Sequence, residues 1–294
     1  MARPLRTWMF VPGNRQRFLD KIYEVDRPPD AVFFDLEDGV IPKEKPGARE
    51  MVAEVLRRAQ PGPLRTVRVN AVGTDWFRDD METIAVAGLE GVCVPKVEQP
   101  EDVLEVARHL ERLDGDVGII VAIESAAGLI HAPEIAAAHP RVVAVMFGAE
   151  DYALDIGLGT KREGEAADLL YARSALVNAA AAARVLSIDG VFPDLDDPDG
   201  LLADIVQSRR LGFDAKSTFN PRQVELINER FSPTPDELAY ARAVADAFEE
   251  ATARGDASVA VGGQLVDRPI VLRALRLLEV AAELGIGLTE VSDG

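Results

Sequence analysis

Cysteine is nearly absent from this 294-residue chain, histidine is scarce and basic charge is in deficit. The lone Cys93 excludes an internal disulfide and a cysteine-rich zinc site. Embedded in the apolar run GVCVPKV, it is read as a small buried hydrophobe. The three histidines, His109, His131 and His139, fall in helical stretches or at their ends, and none has metal-ligand spacing with another. Lys and Arg number 32 against 50 Asp and Glu, a net charge of −18. That balance argues against nucleic acid as a partner, since neutralising phosphates takes a basic surface. It leaves room for one local basic pocket serving a small anion. Long hydrophobic runs are missing too, and the apolar stretches stop far short of the ~20 residues of a membrane span. The segment MARPLRTWMFVPGN has neither the apolar core nor the cleavage site of a secretion signal, so a cytoplasmic location is expected.

What is present is a regular alternation. Short apolar runs stand at 7–11, 31–36, 66–70, 91–96, 118–123, 142–148, 186–192 and 213–219. Helical patterns lie between and after them, at 14–25, 45–60, 75–87, 99–113, 126–138, 166–185, 197–211 and 221–230. Strands alternating with helices call for a parallel sheet with helical crossovers. Eight such units over about 230 residues predict a TIM (β/α)8 barrel rather than a doubly wound sheet. No GxGxxG follows the first run, which counts further against a dinucleotide fold. The pattern breaks at SPTPDE (232–237), read as a hinge. The barrel domain is therefore placed at 1–231 and a C-terminal helical extension at 232–294. That extension comprises a helix at 236–254, the loop VAVGGQLVDRP and a last helix at 270–284. It is expected to cap the barrel or to reach a neighbouring subunit.

Two of the apolar runs end abruptly in acid. IIVAIESAAG closes on Glu124, and VVAVMFGAEDYALDIG closes on Glu150 and Asp151. Fifth and sixth in the count, they would be neighbours in the barrel, with their carboxylates at its catalytic face. Oxygen ligands so placed suit a hard cation. Other polar residues at run ends extend the set to a ring: Asn14 and Arg15, Glu37 and Asp38, Arg68 and Asn70, Lys96, Asp189 and Lys216.

The segments FVPGN, DLEDGV, VRVN, VPKV, IES, FGAED and GFDAKSTFNP follow one another in order from about residue 6 to 222. Together they resemble the citrate lyase β-subunit-like branch of the HpcH/HpaI aldolase family, and GGQLVDRP continues the likeness into the tail. The resemblance implies a TIM barrel, in agreement with the count of runs. It implies that Glu124 and Asp151 are ligands of Mg²⁺, or of Mn²⁺. Asp151 is favoured over Glu150 because the family pattern sets Asp just before a hydrophobic position, here Tyr152. Arg68 is similar to the substrate-binding arginine, and Glu37 and Asp38 to acids that order metal-bound water. Phe10, Asn14 and Arg15 resemble part of a coenzyme A cleft. Asp267 resembles an acid that enters a neighbouring subunit's site, which implies a homo-oligomer, a trimer or a multiple of one. Where many members carry histidine before the proline of FNPRQ, this chain has Asn220, so no acid or base is assigned there.

The activity so implied is cleavage of a β-hydroxyacyl thioester, of the citramalyl-CoA, malyl-CoA or citryl-CoA type, to acetyl-CoA and a 2-oxoacid. Arg68 would stabilise the thioester enolate and Asp267 would protonate it. The base stays open, a water held by Glu37 and Asp38 being one candidate. Alternatives are the citryl-carrier-protein subunit of a citrate lyase complex, a malyl-CoA thioesterase, and a Schiff-base aldolase using Lys96 or Lys216. Two signals are set aside. DLDDPDG (194–200) fails calcium-loop spacing, with Pro198 at a ligand position, and is read as a solvated acidic loop. GLGTKREG (157–164) lacks phosphate-loop spacing and is read as a flexible segment over the site.

Overall fold

The computed structural model describes residues 4–58, 61–113, 115–159 and 167–287. Eight parallel strands close into a barrel in chain order: β1 (Thr7–Pro12), β2 (Ala31–Asp35), β3 (Leu64–Arg68), β4 (Gly91–Val94), β5 (Gly118–Ile123), β6 (Val142–Phe147), β7 (Leu186–Asp189) and β8 (Ala215–Thr218). Pairing of Thr7 with Lys216 and of Trp8 with Ser217 brings β8 back to β1. Each of the eight runs forms a strand, so the predicted barrel is the observed fold. Period two sorts the strand residues into two cores. Trp8, Ala31, Phe33, Cys93, Ile120, Ala122, Ala144, Met146, Ile188 and Ala215 fill the interior, with Trp8 stacked on Phe33 at 5.0 Å. The alternate residues, among them Val32, Phe34, Val67, Val92, Val121 and Val145, pack outward in one cluster with helix residues such as Leu56, Leu110 and Leu176. Cys93 is free and buried, as its apolar run implies.

The crossover helices are α1 (Gln16–Lys21), α2 (Lys45–Arg57), α3 (Phe77–Ile84), α4 (Pro100–Leu110), α5 (Ala126–Ile130), α6 (Ala132–Ala136), α7 (Ala149–Asp155), α8 (Leu170–Ala183), α9 (Pro198–Leu211) and α10 (Val224–Phe231). Two differ from expectation. The stretch 126–138 is two short helices, broken at His131, where Pro133 has no N–H with which to continue the first. The turn after β6 forms a helix of its own, α7, with Glu150 and Asp151 in its first turn, where acids suit the helix dipole. The acidic stretch 194–200 serves as a cap: Asp197 accepts from Gly200 N at 2.8 Å and starts α9. GLGTKREG lies outside the described residues from Thr160 onward.

The chain divides into two compact units, one spanning Leu5–Phe231 and the other beginning at Ser232. In the second, Thr234 and Glu237 form a capping box that opens α11 (Pro235–Ala253). VAVGGQLVDRP, expected as a loop, is a hairpin of β9 (Val259–Val261) and β10 (Gln264–Val266). Gly262 and Gly263, both at positive φ (56° and 79°), make the two-residue turn such a hairpin needs. The unit ends with α12 (Arg268–Glu283) and has its own core of Ala241, Val244, Val266, Val271 and Ala274. Among the described residues, no helix is long and apolar enough to cross a membrane.

Candidate active site

Arg68, the last residue of β3, points into the barrel mouth with a guanidinium that is almost wholly engaged. Its Nε and Nη2 each donate to Asp35 at 2.8 Å, a bidentate pair, and the ring of Phe10 lies 4.7 Å beneath it. Asp35 also accepts from Glu37 N and Gly39 N, each at 2.9 Å. Burial pushes the Asp35 carboxyl up, but Arg68 and the two backbone N–H groups outweigh it and hold it below its usual range. Asp35 was not among the predicted site residues. Its signal was available, because Ala31, Phe33 and Asp35 share the inward face of β2 at period two.

Glu37 sits between two cations. Its Oε1 accepts from Lys96 Nζ at 2.8 Å, and its Oε2 lies 3.0 Å from Arg68 Nη1, off the N–H direction, so that this buried oxygen has an ion pair but no hydrogen bond. The loop carrying Glu37 is pinned from behind. Lys45 Nζ donates at 2.7 Å to Leu36 O, Glu37 O and Asn70 Oδ1, and Asn70 is held in turn by Asp80, which pairs with Arg49 at 2.6 Å. Asp38 is exposed on the cavity wall, 3.7 Å from Lys96 Nζ.

Glu124 follows β5 and is 4% exposed. Its Oε2 accepts from Lys96 N at 3.1 Å. Burial first, then the charges of Glu37 and Asp151, push its carboxyl up to about 8 against the pull of Arg68 and Lys96. The β6 end leaves room for it. A Cβ on Gly148 would fall 2.6 Å from Glu124 Oε1 and closer still to its Cγ. Gly148 therefore belongs to the site for steric reasons; it is the glycine of FGAED, to which the sequence alone assigned no role. Asp151, half-buried in α7, joins Glu124 on the cavity wall, with Glu150 exposed beside it.

Several of these groups, though not Glu37 or Lys96, line one part of a cavity of about 870 Å³. Asp35, Asp38, Glu124, Glu150, Asp151 and Arg68 all face it. Its remaining wall is largely apolar and includes Phe18, Ile22, Val25, Phe219 and Val224, with Lys21 and Arg27 the other cations on the lining. Phe10 lines it, whereas Asn14 and Arg15 do not: Asn14 donates to Glu44 Oε2 at 2.5 Å, and Arg15 is exposed. Asp267 belongs to the second unit, at the N-cap position of α12 with no capping hydrogen bond from its side chain.

Two residues of the expected ring face away. Asp189 and Lys216 alternate with the inward Ile188 and Ala215, and so point toward the helices. There Lys216 Nζ bonds Asp189 Oδ2 at 3.0 Å, Asp204 Oδ2 at 2.5 Å and Gly190 O at 2.7 Å, while Arg173 closes the network on both acids. A lysine 1% exposed, turned toward the helices and bonded to two carboxylates and a carbonyl is out of reach of a substrate in the barrel mouth. For Lys96, burial favours the neutral amine, but Glu37 and Asp38 outweigh it and hold the ammonium charged. Neither lysine suits Schiff-base chemistry.

The donor set suits a hard cation. Glu124 and Asp151 present only carboxylate oxygens, and acids outnumber cations around them. Without a cation, Glu124 holds its proton to about pH 8. Among the described residues, no three or more His, Cys, Asp or Glu side chains are grouped so as to hold a metal by themselves, so two carboxylates would need waters or substrate oxygens to complete the shell.

A closed (β/α)8 barrel with a charged cavity at the carboxyl ends of its strands defines an enzyme of the barrel class. The HpcH/HpaI aldolase/citrate lyase family matches residues 6–221, and the chain belongs to it, in the citrate lyase β-like branch. The citrate lyase subunit beta of Leuconostoc mesenteroides subsp. cremoris is 37% identical over 286 residues, covering 94% of this chain and 93% of that one. A (3S)-malyl-CoA thioesterase of Cereibacter sphaeroides is 36% identical over 282 residues, 95% of each chain. Among solved structures, the protein CitE of Mycobacterium tuberculosis in complex with magnesium, acetoacetate and coenzyme A is 30% identical, covering 96% of this chain and 100% of that one, with a TM-score of 0.78.

Proposed function

We propose that this chain is a Mg²⁺-dependent carbon–carbon lyase that cleaves a β-hydroxyacyl thioester of the citramalyl-CoA, malyl-CoA or citryl-CoA type into acetyl-CoA and a 2-oxoacid. The observation that carries this reading is the meeting of Glu124, Asp151 and Arg68 on one cavity whose remaining wall is largely apolar. Glu124 and Asp151 would hold the ion, which supplies Lewis-acid polarisation of the substrate's carboxylate and adjacent hydroxyl. Cleavage moves the hydroxyl proton to a base and the C–C electron pair onto the thioester carbonyl oxygen. Arg68, fixed by Asp35 and Phe10, is the preorganised cation for that developing charge. Protonation of the enolate carbon, assigned to Asp267, completes the acetyl thioester. The apolar wall at Phe18, Ile22, Val25 and Phe219 suits the pantetheine arm, and Lys21 and Arg27 suit its phosphates. A relative titled citrate lyase subunit beta, and a solved neighbour holding magnesium and coenzyme A, support the same reading.

Thioester hydrolysis on the same scaffold is the second reading, favoured by the relative named as a (3S)-malyl-CoA thioesterase. Product analysis separates the two. Malyl-CoA should yield glyoxylate and acetyl-CoA from a lyase, and malate and free coenzyme A from a thioesterase. Citramalyl-CoA, malyl-CoA and citryl thioesters, on coenzyme A and on acyl-carrier protein, assayed with and without Mg²⁺, identify the substrate. Cleavage undiminished by EDTA would overturn the metal assignment.

A further inference from the structure

Lys96 is a residue at the site that the proposed chemistry does not use, and its backbone is unusual. It is one of two non-glycine residues at positive φ among those described, at 55°. The other, Arg184, is the left-handed C-cap of α8, a routine place for that conformation. Lys96 caps no helix. Its left-handed φ comes immediately before Val97, whose N–H returns to Ala122 O on β5 at 3.3 Å. A side-chain-bearing residue adopts this conformation reluctantly, and at a functional site such strain asks what it secures.

Two bonds to the site answer. The Lys96 N–H donates to Glu124 Oε2 at 3.1 Å, while Oε1 of the same carboxylate is the oxygen nearest the space left by Gly148. One oxygen is thus pinned, and the other is held toward the β6 end, where Asp151 follows. The Lys96 ammonium reaches the opposite way, to Glu37 Oε1 at 2.8 Å, and Glu37 lies against Arg68. We propose that Lys96 is a positioning residue with two separable duties: its left-handed backbone aims Glu124 at the cation, and its ammonium fixes Glu37 and through it Arg68. The inference rests on the reading of Glu124 as a metal ligand.

The duties separate because backbone conformation and side-chain charge can be changed independently. Lys96→Gly and Lys96→Asn both accept positive φ and keep the N–H, but carry no charge. Lys96→Val resists positive φ, so its N–H should swing away from Glu124. Each variant is checked by circular dichroism and thermal melt, and Mg²⁺ binding is then measured by calorimetry on the full chain without substrate. The Gly and Asn variants should bind Mg²⁺ within about twofold of wild type, since their backbone is undisturbed. The Val variant should bind it roughly tenfold or more weakly, the usual consequence of losing a group that orients a ligand. Turnover at saturating Mg²⁺ should fall in all three. Equal Mg²⁺ affinity for the Val variant and wild type would overturn the backbone duty, as would Gly and Asn variants as weak as Val. Wild-type turnover in the Gly and Asn variants would overturn the ammonium's duty. If wild type itself binds no Mg²⁺, the metal reading of Glu124 falls and this inference falls with it.

Discussion

At the scale of single residues, the site is a set of charges held in place by their neighbours, and pH should expose it. Burial and the nearby acids raise Glu124 to about 8 in the folded state, above the 4.5 of a free glutamate side chain. Between those values the unfolded chain ionises while the folded chain keeps its proton. The metal-free protein should therefore lose stability as pH rises across that window, by an amount on the order of a few kcal/mol. Melts in EDTA at pH 5 and pH 8 should show the loss, and Glu124→Gln should reduce it, leaving the part due to Glu37, which burial also raises. Asp35 and Asp189 act with the opposite sign. Cationic partners hold both below 3.8, so their stabilisation is present above that value and disappears as pH falls through their folded values. A steric prediction belongs here too. Gly148→Ala places a methyl on the Glu124 carboxylate, and should weaken Mg²⁺ binding roughly tenfold or more while the barrel still folds. Calorimetric Mg²⁺ affinity beside a wild-type melt decides it. Glu124 and the Glu150–Asp151 pair drew notice because they follow apolar runs, whereas the role of Arg68, inside its run, and the choice of Asp151 came from the family resemblance. Asp35 lay one step inside its apolar run and was passed over for the more conspicuous Glu37 and Asp38. Gly148 stood within FGAED without a role, since its part is the absence of a side chain beside a residue distant in sequence.

Elements, next, are tied by ionic networks that no run-by-run reading would pair. Lys45 and Arg49 on α2 reach Asn70 after β3 and Asp80 on α3, fixing the loop that carries Glu37. On the far side, α8, β7, α9 and β8 meet through Arg173, Asp189, Asp204 and Lys216. Removing one member leaves an opposite charge buried without its partner. Lys216→Met should therefore destabilise the fold by about 3 to 5 kcal/mol, read as a shift of the urea midpoint. The folded fraction should keep far more turnover than a Glu124→Ala chain, because Lys216 is structural. Near-complete loss of activity in a well-folded Lys216→Met chain would reopen a catalytic role. Strand positions were readable from composition because every barrel strand is buried on both faces. The outward direction of Asp189 and Lys216 was not, because polar residues at strand ends look alike until the parity of each strand is known. The break at His131 and the short α7 escaped notice for a related reason: helices of five to seven residues leave too few turns for periodicity to show.

For the whole molecule, the acid surplus and the two-unit organisation bear on where a complete site is assembled. Among the described residues, those lining the cavity come from Leu5–Phe231, whereas Asp267 belongs to the other unit. The eight-run count was enough to predict closure of the barrel, because parallel strands with regular crossovers have few ways to satisfy every edge. Whether the proposed role of Asp267 is exercised in a neighbouring chain is a property of assembly, which a single chain's pattern does not encode. Mixed oligomers can tell the two arrangements apart. Glu124→Ala and Asp267→Ala chains, each inactive alone, are co-expressed in equal amounts. If a site takes Glu124 from one chain and Asp267 from another, about one quarter of the sites receive both intact residues by random assembly. Turnover should then return to roughly that fraction of wild type. If each chain completes its own site, every site carries one lesion and the mixture stays inactive. A recovered fraction that vanishes when the oligomer is diluted to monomers, measured by light scattering beside the assay, would tie the shared site to assembly. No recovery from a mixed oligomer confirmed by mass would remove Asp267 from a neighbour's active site.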